Sequence, residues 1–285
     1  MSKRKSIVRQ ATERLLSMAA FGESKHADKI ANDGKPARDK IYSGKTMDNY
    51  IDVAGRFVRW AREVHGCRML EDAQQFVSEY LLLRLAEGKS HWTIRLEASA
   101  LAKLYGYGIN DFGVVLPERQ RQDVIQHRQE KWVGHFNADK HKNLVAFGKS
   151  TGLRRHEMAT VTPADVWEDG EGRVIVHVLK GKGGKERYVE ALDDTPLVLA
   201  RKAQAEGRKL IFAGIHKYAP VHEWRAEFAR ETYHRHARPI SDIPLKERYI
   251  CRKDKEGEIY DKKAMAIASQ MLGHGRLDVI AQSYL

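Results

Sequence analysis

This chain of 285 residues has little cysteine, no long apolar run and no internal repeat. Its two cysteines, Cys67 and Cys251, are far apart and outside any CxxC pattern. They offer neither a disulfide framework nor a zinc site and fit a reducing, cytoplasmic setting. No stretch approaches the length of a membrane span. The basic start, MSKRKSIVRQATERLL, lacks the apolar core and small-residue cleavage site of a secretory signal. Aromatic RNA-binding signatures are missing too, as is a Lys/Arg-faced helix with an exposed Trp/Leu stripe, which argues against a membrane surface as partner. Low-complexity tracts are absent.

Positive charge is abundant. Fifty Lys and Arg against 38 Asp and Glu leave a net charge of +12, which favours a polyanionic partner: DNA, RNA or an anionic membrane surface. The hydrophobic fraction of 42% is compatible with folded domains, and the length suits two of them.

Residues 1–45 are basic and polar and read as a mobile or partly helical arm. From Thr46, a plausible N-cap, TMDNYIDVAGRFVRWAREVHG places Tyr50, Ala54, Phe57, Val58, Ala61 and Val64 at helical spacing, with Gly66 as a stop. LEDAQQFVSEYLLLRLAEG gives a second helix. SHWTIRLEASALAKLYGYG gives a third, capped by Ser90, with Ile94, Ala98, Leu101 and Tyr105 on one face. Residues 46–116 thus form a helical domain, with Arg56, Arg59, Arg62, Arg95 and Lys103 on or near its polar faces. The charged, apolar-poor stretch 117–137 is the linker candidate, leaving 138–285 as a second domain. There, ADKHKNLVAFGKSTGLRRHEMATVTPADV reads as helix, Gly break, helix. EGRVIVHVLKGKGGKERYVEA alternates like a β-hairpin. Helices follow around 195–206 and 221–236, an irregular charged stretch over 237–260, a helix between Asp261 and Gly273, and a last short helix capped by Asp278. The fold class is mainly α with a small β-hairpin or sheet.

Cutting a DNA strand without a metal needs a nucleophile, cations for the phosphate oxygens and a proton for the leaving oxygen. Tyrosine suits the first task, arginine forks the second, and lysine or histidine the third. The sequence supplies them in order: Arg154 in STGLRRHE with Glu157 three residues on, Lys182 in LKGKGGKER, His222 and Arg225 at i, i+3 in VHEWR, His274 in LGHGR, and Tyr284 in QSYL. Each alone has an ordinary explanation: a surface arginine, a flexible turn, a helix-face ion pair, a packed C-terminal aromatic. His234 and His236 in YHRHAR are a tempting metal pair, but no further ligand stands at a suitable spacing, and no metal is expected.

Taken together, TGLR-x-x-E, GKG-x-KER, H-x-x-R, LGH and the final tyrosine resemble the active site of the tyrosine recombinases, the integrases of lambda type found in phages and mobile elements. The resemblance spans roughly residues 46–285. It implies a helical core-binding domain followed by an α+β catalytic domain, closing around double-stranded DNA as a homotetramer on two sites. Arg154 and Arg225 would clamp the scissile phosphate, and His222 and His274 would bond a non-bridging oxygen. Lys182 would protonate the leaving 5′-oxygen, Tyr284 would form a 3′-phosphotyrosyl bond, and Glu157 would orient its neighbours. No cofactor, ATP or metal is implied. The setting would be the cytoplasm, at the nucleoid, with room for accessory DNA-bending or directionality factors. The alternatives are a type IB-like topoisomerase and a DNA-binding or architectural protein that does not cut.

Two features depart from the family's pattern. Arg225 and His274 are separated by 49 residues, longer than usual, with the extra length in 237–260. A solvated loop is the ordinary expectation there. The sequence also stops one residue after Tyr284, where family members commonly carry a tail that docks on a neighbour. Either protomers couple through another surface or the chain is truncated.

Overall fold

The computed structural model describes residues 5–35, 37–118, 135–181, 184–252 and 255–285. The chain divides into two compact units, Met1–Ile125 and Gln126–Leu285. Of the expected linker, residues 119–134 lie outside the described residues. At its far end Phe136 stacks on His141 and packs against the core of the second unit.

The first unit is helical: α1 (Ile7–Leu16), α2 (Lys25–Ala31), α3 (Gly44–His65), α4 (Leu70–Ala73), α5 (Val77–Ala86) and α6 (His91–Tyr105). Serine hydroxyls start three of the longer ones, since a side-chain oxygen satisfies an N–H that the first turn leaves unpaired. Ser6 accepts from the Arg9 amide, Ser43 from Thr46 and Ser90 from Thr93. Gly66 and Gly106 end α3 and α6 in left-handed geometry. The cap of α3 is thus Ser43, not Thr46; the two hydroxyls lie 2.8 Å apart and share the turn. Val64, expected on the buried face, is exposed.

The expectation of a separate arm over 1–45 needs correction for the described residues. Ile7, Ala11 and Leu15 recur at i, i+4 and i+8 on α1 and are buried in the core with Phe57, Val58 and Ala61 of α3 and Leu101 of α6. Ala20 and Ile41 then pair main chain to main chain. An apolar stripe on a basic helix outweighs its charge once a groove receives it. The cations of these helices divide as well. Arg95 donates to the Pro117 carbonyl and Lys103 to those of Ala37 and Lys40, so both hold the unit together. Arg56 and Arg84 share the buried carboxylate of Glu97.

The second unit carries an antiparallel sheet in the order β1 (Val166–Glu168), β2 (Val174–Val178), β3 (Arg187–Glu190). Its helices are α7 (Lys142–Thr151), α8 (Arg155–Met158), α9 (Thr195–Ala205), α10 (Val221–His236), α11 (Lys262–Leu272) and α12 (Asp278–Ser283). The sheet's inner face, with Val176 and Val189, joins Phe147, Met158, Phe228, Met265, Ala268 and Leu272 in one core. Asp261 caps α11 and Gly273 ends it, whereas α12 is preceded by Leu277 at the cap position, with Asp278 as its first residue. The stretch 237–260, expected as irregular, contains two 3-10 turns and most of a second hairpin, β4 (Arg248–Ile250) with β5 (Ile259–Asp261), Tyr249 opposite Tyr260.

Glycine sets how closely α7 approaches α10. A Cβ at Gly148 would be driven into the Trp224 ring. At Gly152, with φ of +57°, it would sit 2.5 Å from Phe228 Cδ1. The turn after α7 can therefore lie directly on α10, which brings Arg154 and Arg225 into one neighbourhood.

Candidate active site

Arg154 follows that turn as the cap residue of α8. Its amide donates to Glu157 Oε2 at 2.7 Å, and its Nη1 donates to Glu157 Oε1 at 2.9 Å. Glu157 thus closes the first turn of a four-residue helix by reaching back to the cap amide. The same carboxylate receives Arg187, the first residue of β3, through Nη1 at 3.0 Å and Nη2 at 2.7 Å. Burial by itself would raise the Glu157 pKa. The forked bonds from Arg187 and the Arg154 amide outweigh it and bring the group down to about 2. Glu157 is therefore a fixed anion whose function is to hold arginines. Arg187 Nε donates to the Met271 carbonyl at 2.8 Å, tying this network to the end of α11.

Arg225 lies on α10 and is only 1% exposed. It donates to the carbonyls of Gly152 and, at 3.2 Å, of Leu272. Burial pulls its pKa below the usual arginine value; the nearby Tyr284 acts against that fall, and Arg154 adds to it. Carbonyl dipoles orient this guanidinium without neutralising it, an arrangement suited to an arriving anion.

Gly273 ends α11 in left-handed geometry, and the turn LGHGR folds back, the His274 amide donating to the Ser269 carbonyl at 2.8 Å. This aims the imidazole at the last helix. His274 Nε2 stands 3.1 Å from the Tyr284 hydroxyl. Ile280 and Ala281 bury α12 in the core, and the Tyr284 amide donates to the Ile280 carbonyl at 3.0 Å.

The structure therefore brings together Arg154, Glu157, Arg225, His274 and Tyr284. His222 is exposed on the first turn of α10, one turn ahead of Arg225. Lys182 lies outside the described residues. The ammonium of Lys185, from the same hairpin, would be 4.0 Å from a Cβ placed on Gly275, so β3's approach runs beside the His274 turn.

Sequence reasoning missed two contributors. Arg187 shares the inward phase of β3 with Val189, and a charged residue in an apolar phase is the signature of a buried ion pair. Arg155, next to Arg154 in the same motif, is the second. Its guanidinium donates to the carbonyls of His216 and, at 2.8 Å, of Ala219, fixing the turn that launches α10.

Among the described residues no helix is long and apolar enough to cross a membrane, and no group of three or more His, Cys, Asp or Glu is arranged to hold a metal ion.

No protein-family model and no curated protein matches the sequence. Solved structures do match in shape. The XerH site-specific recombinase bound to palindromic difH substrate, in a post-cleavage complex, aligns at 14% identity with a TM-score of 0.55, over 97% of this chain and 90% of that one. The pre-cleavage complex of XerH aligns at 14% identity and 0.53, over 97% and 91%. The Tn1549 transposon integrase is more remote, at 12% identity and 0.46, over 99% and 95%. What 14% identity and a TM-score of 0.55 carry is architecture, and with its mainly helical build and small antiparallel sheets this chain has the fold of the tyrosine recombinases.

Proposed function

We propose that this protein is a site-specific DNA recombinase, an integrase of a phage or mobile element, that cuts and rejoins double-stranded DNA through a 3′-phosphotyrosyl intermediate. The observation that carries the reading is the meeting of Tyr284 and His274 at 3.1 Å beside a buried Arg225 held by main-chain carbonyls and a carboxylate-held Arg154. A phenol next to an imidazole can lose its proton, and two arginines can hold the oxygens of a phosphate as charge builds on them.

Tyr284 gives its phenolic proton to the neighbouring imidazole as its oxygen attacks the scissile phosphorus and the bond to the 5′-oxygen breaks. That oxygen takes a proton from Lys182. Arg154 and Arg225 stabilise the added negative charge, and His222 and His274 hydrogen-bond a non-bridging oxygen. A 5′-hydroxyl from a second duplex then attacks the phosphotyrosine, restoring the phosphodiester and releasing the phenol. The phosphodiester energy is kept in the covalent adduct, so ATP has no part in the balance.

The net charge of +12 supports DNA as partner. XerH is bound to its difH substrate in both complexes; carried to this chain, that supports duplex DNA as the partner. Four copies on two sites would complete strand exchange at the nucleoid in the cytoplasm.

The test is covalent trapping. The protein is incubated in chelator with duplex DNA from the region flanking its own gene, nicked just beyond the suspected cut so that the short 5′-hydroxyl fragment diffuses away. A denaturing gel should show a protein–DNA adduct that Tyr284→Phe abolishes. Binding without an adduct would favour the architectural reading. An adduct that persists in Tyr284→Phe would assign the attack to another residue. Relaxation of supercoiled DNA with no preferred sequence would favour the topoisomerase.

A further inference from the structure

The helix that ends at the tyrosine cannot hold itself. Six residues make less than two turns, and the last carbonyls of any helix have no partner within it. Two cations from elsewhere supply donors. Lys255 Nζ donates to the Ala281 carbonyl at 3.2 Å, and Arg230 Nη1 of α10 donates to the Tyr284 carbonyl at 3.3 Å. Positive groups at a helix C-terminus also favour its dipole.

Lys255 belongs to the segment that lengthens the chain between Arg225 and His274. That segment is anchored. Arg238 forks onto Asp261 with bonds of 2.7 and 2.8 Å and also meets Glu247 at 2.8 Å. Lys263 of α11 reaches Glu247 at 3.2 Å. The Asp261 amide donates to the Tyr233 hydroxyl of α10 at 3.0 Å. Tyr249 and Tyr260 of the hairpin pack against the same core that receives Leu277 and Tyr284. The hairpin is thus a bracket fixed to α10 and α11, and Lys255 extends from it to α12.

We propose that Lys255 is a positioning residue for Tyr284: the 237–260 segment, with Arg230 opposite, clamps the last turn of α12 and sets the phenol against His274. This rests on the reading of Tyr284 as nucleophile and assigns a role to the added segment. Without the clamp, α12 frays from its end and the phenol samples positions away from the imidazole.

The experiment compares wild type, Lys255→Met and Lys255→Arg as full chains. Amide hydrogen exchange without DNA should show the last turn of α12 exchanging about tenfold faster in Lys255→Met, the scale of one charge-assisted hydrogen bond, with α11 and β3 unchanged. Lys255→Arg should exchange like wild type. On saturating nicked duplex, adduct formation should slow by a similar factor in Lys255→Met while affinity for DNA stays the same. Unchanged exchange in α12, or faster exchange across the whole second unit, would overturn the proposal. A wild type that forms no adduct while α12 still responds to Lys255→Met would leave the clamp standing and remove the nucleophile assignment.

Discussion

Glu157 and Arg187 face each other through two parallel hydrogen bonds, with the carboxylate fully buried and the guanidinium side chain 7% exposed. Because Glu157 also holds Arg154, the pair links the start of β3 to the candidate phosphate clamp. Removing one partner of such a pair strands the other charge in the interior. Arg187→Met should lower unfolding free energy by roughly 3–5 kcal/mol, measured by urea denaturation. Adduct formation at a temperature where the variant stays folded should fall as well, because Arg154 loses its frame.

The same carboxylate sets an acid limit. Its pKa is near 4.5 in an unfolded chain and about 2 in the folded one. A depressed carboxylate contributes stability that is fully present above 4.5 and is lost as pH falls through 2. Urea midpoints taken from pH 6 down to pH 2 should fall across that window, with a contribution on the order of 3 kcal/mol from this group. Glu157→Gln should start less stable and show a shallower fall. An equal fall in both proteins would assign the acid sensitivity elsewhere.

Close approach of α7 to α10 depends on a missing side chain. Gly148→Ala would press a methyl into Trp224. The expected cost is about 1–3 kcal/mol of overpacking, seen as a lower melting temperature. Since Arg154 and Arg225 sit on the two sides of this contact, trapping should slow more than stability loss alone accounts for.

His274→Gln tests the imidazole directly. Glutamine can donate one hydrogen bond but is a very poor base. Adduct formation should drop by roughly 10²-fold or more, with DNA affinity and melting temperature near wild type. A loss confined to affinity would make His274 a DNA-contact residue only.

Much of the fold could be read ahead of the structure because its punctuation is local. Ser90, Gly66, Asp261 and Gly273 mark helix ends by chemistry acting within a few residues. Arg154, Arg225, His274 and Tyr284 could be read as a set because their motifs occur in one order. What escaped depends on partners distant in sequence. Arg187 becomes a core residue only when Glu157, thirty residues earlier, is folded against it. The strands RYI and IYD are three residues each, too short for an alternation to show, and Tyr260 packs edge-on against Tyr233 of α10. The stripe on α1 was hidden by its neighbours' charge.

The imidazole and the phenol ten residues apart, and the two arginines beside them, belong to one chain. Under the proposed function each copy carries its nucleophile beside an imidazole and two arginines of its own. With Tyr284 acting on a phosphate held by the arginines beside it, an assembly mixed from sound and defective copies would keep as many nucleophiles in place as it has sound copies. Inactivity would then be counted copy by copy, and an exchange that needs several cuts would fail in steep proportion to the share of defective chains.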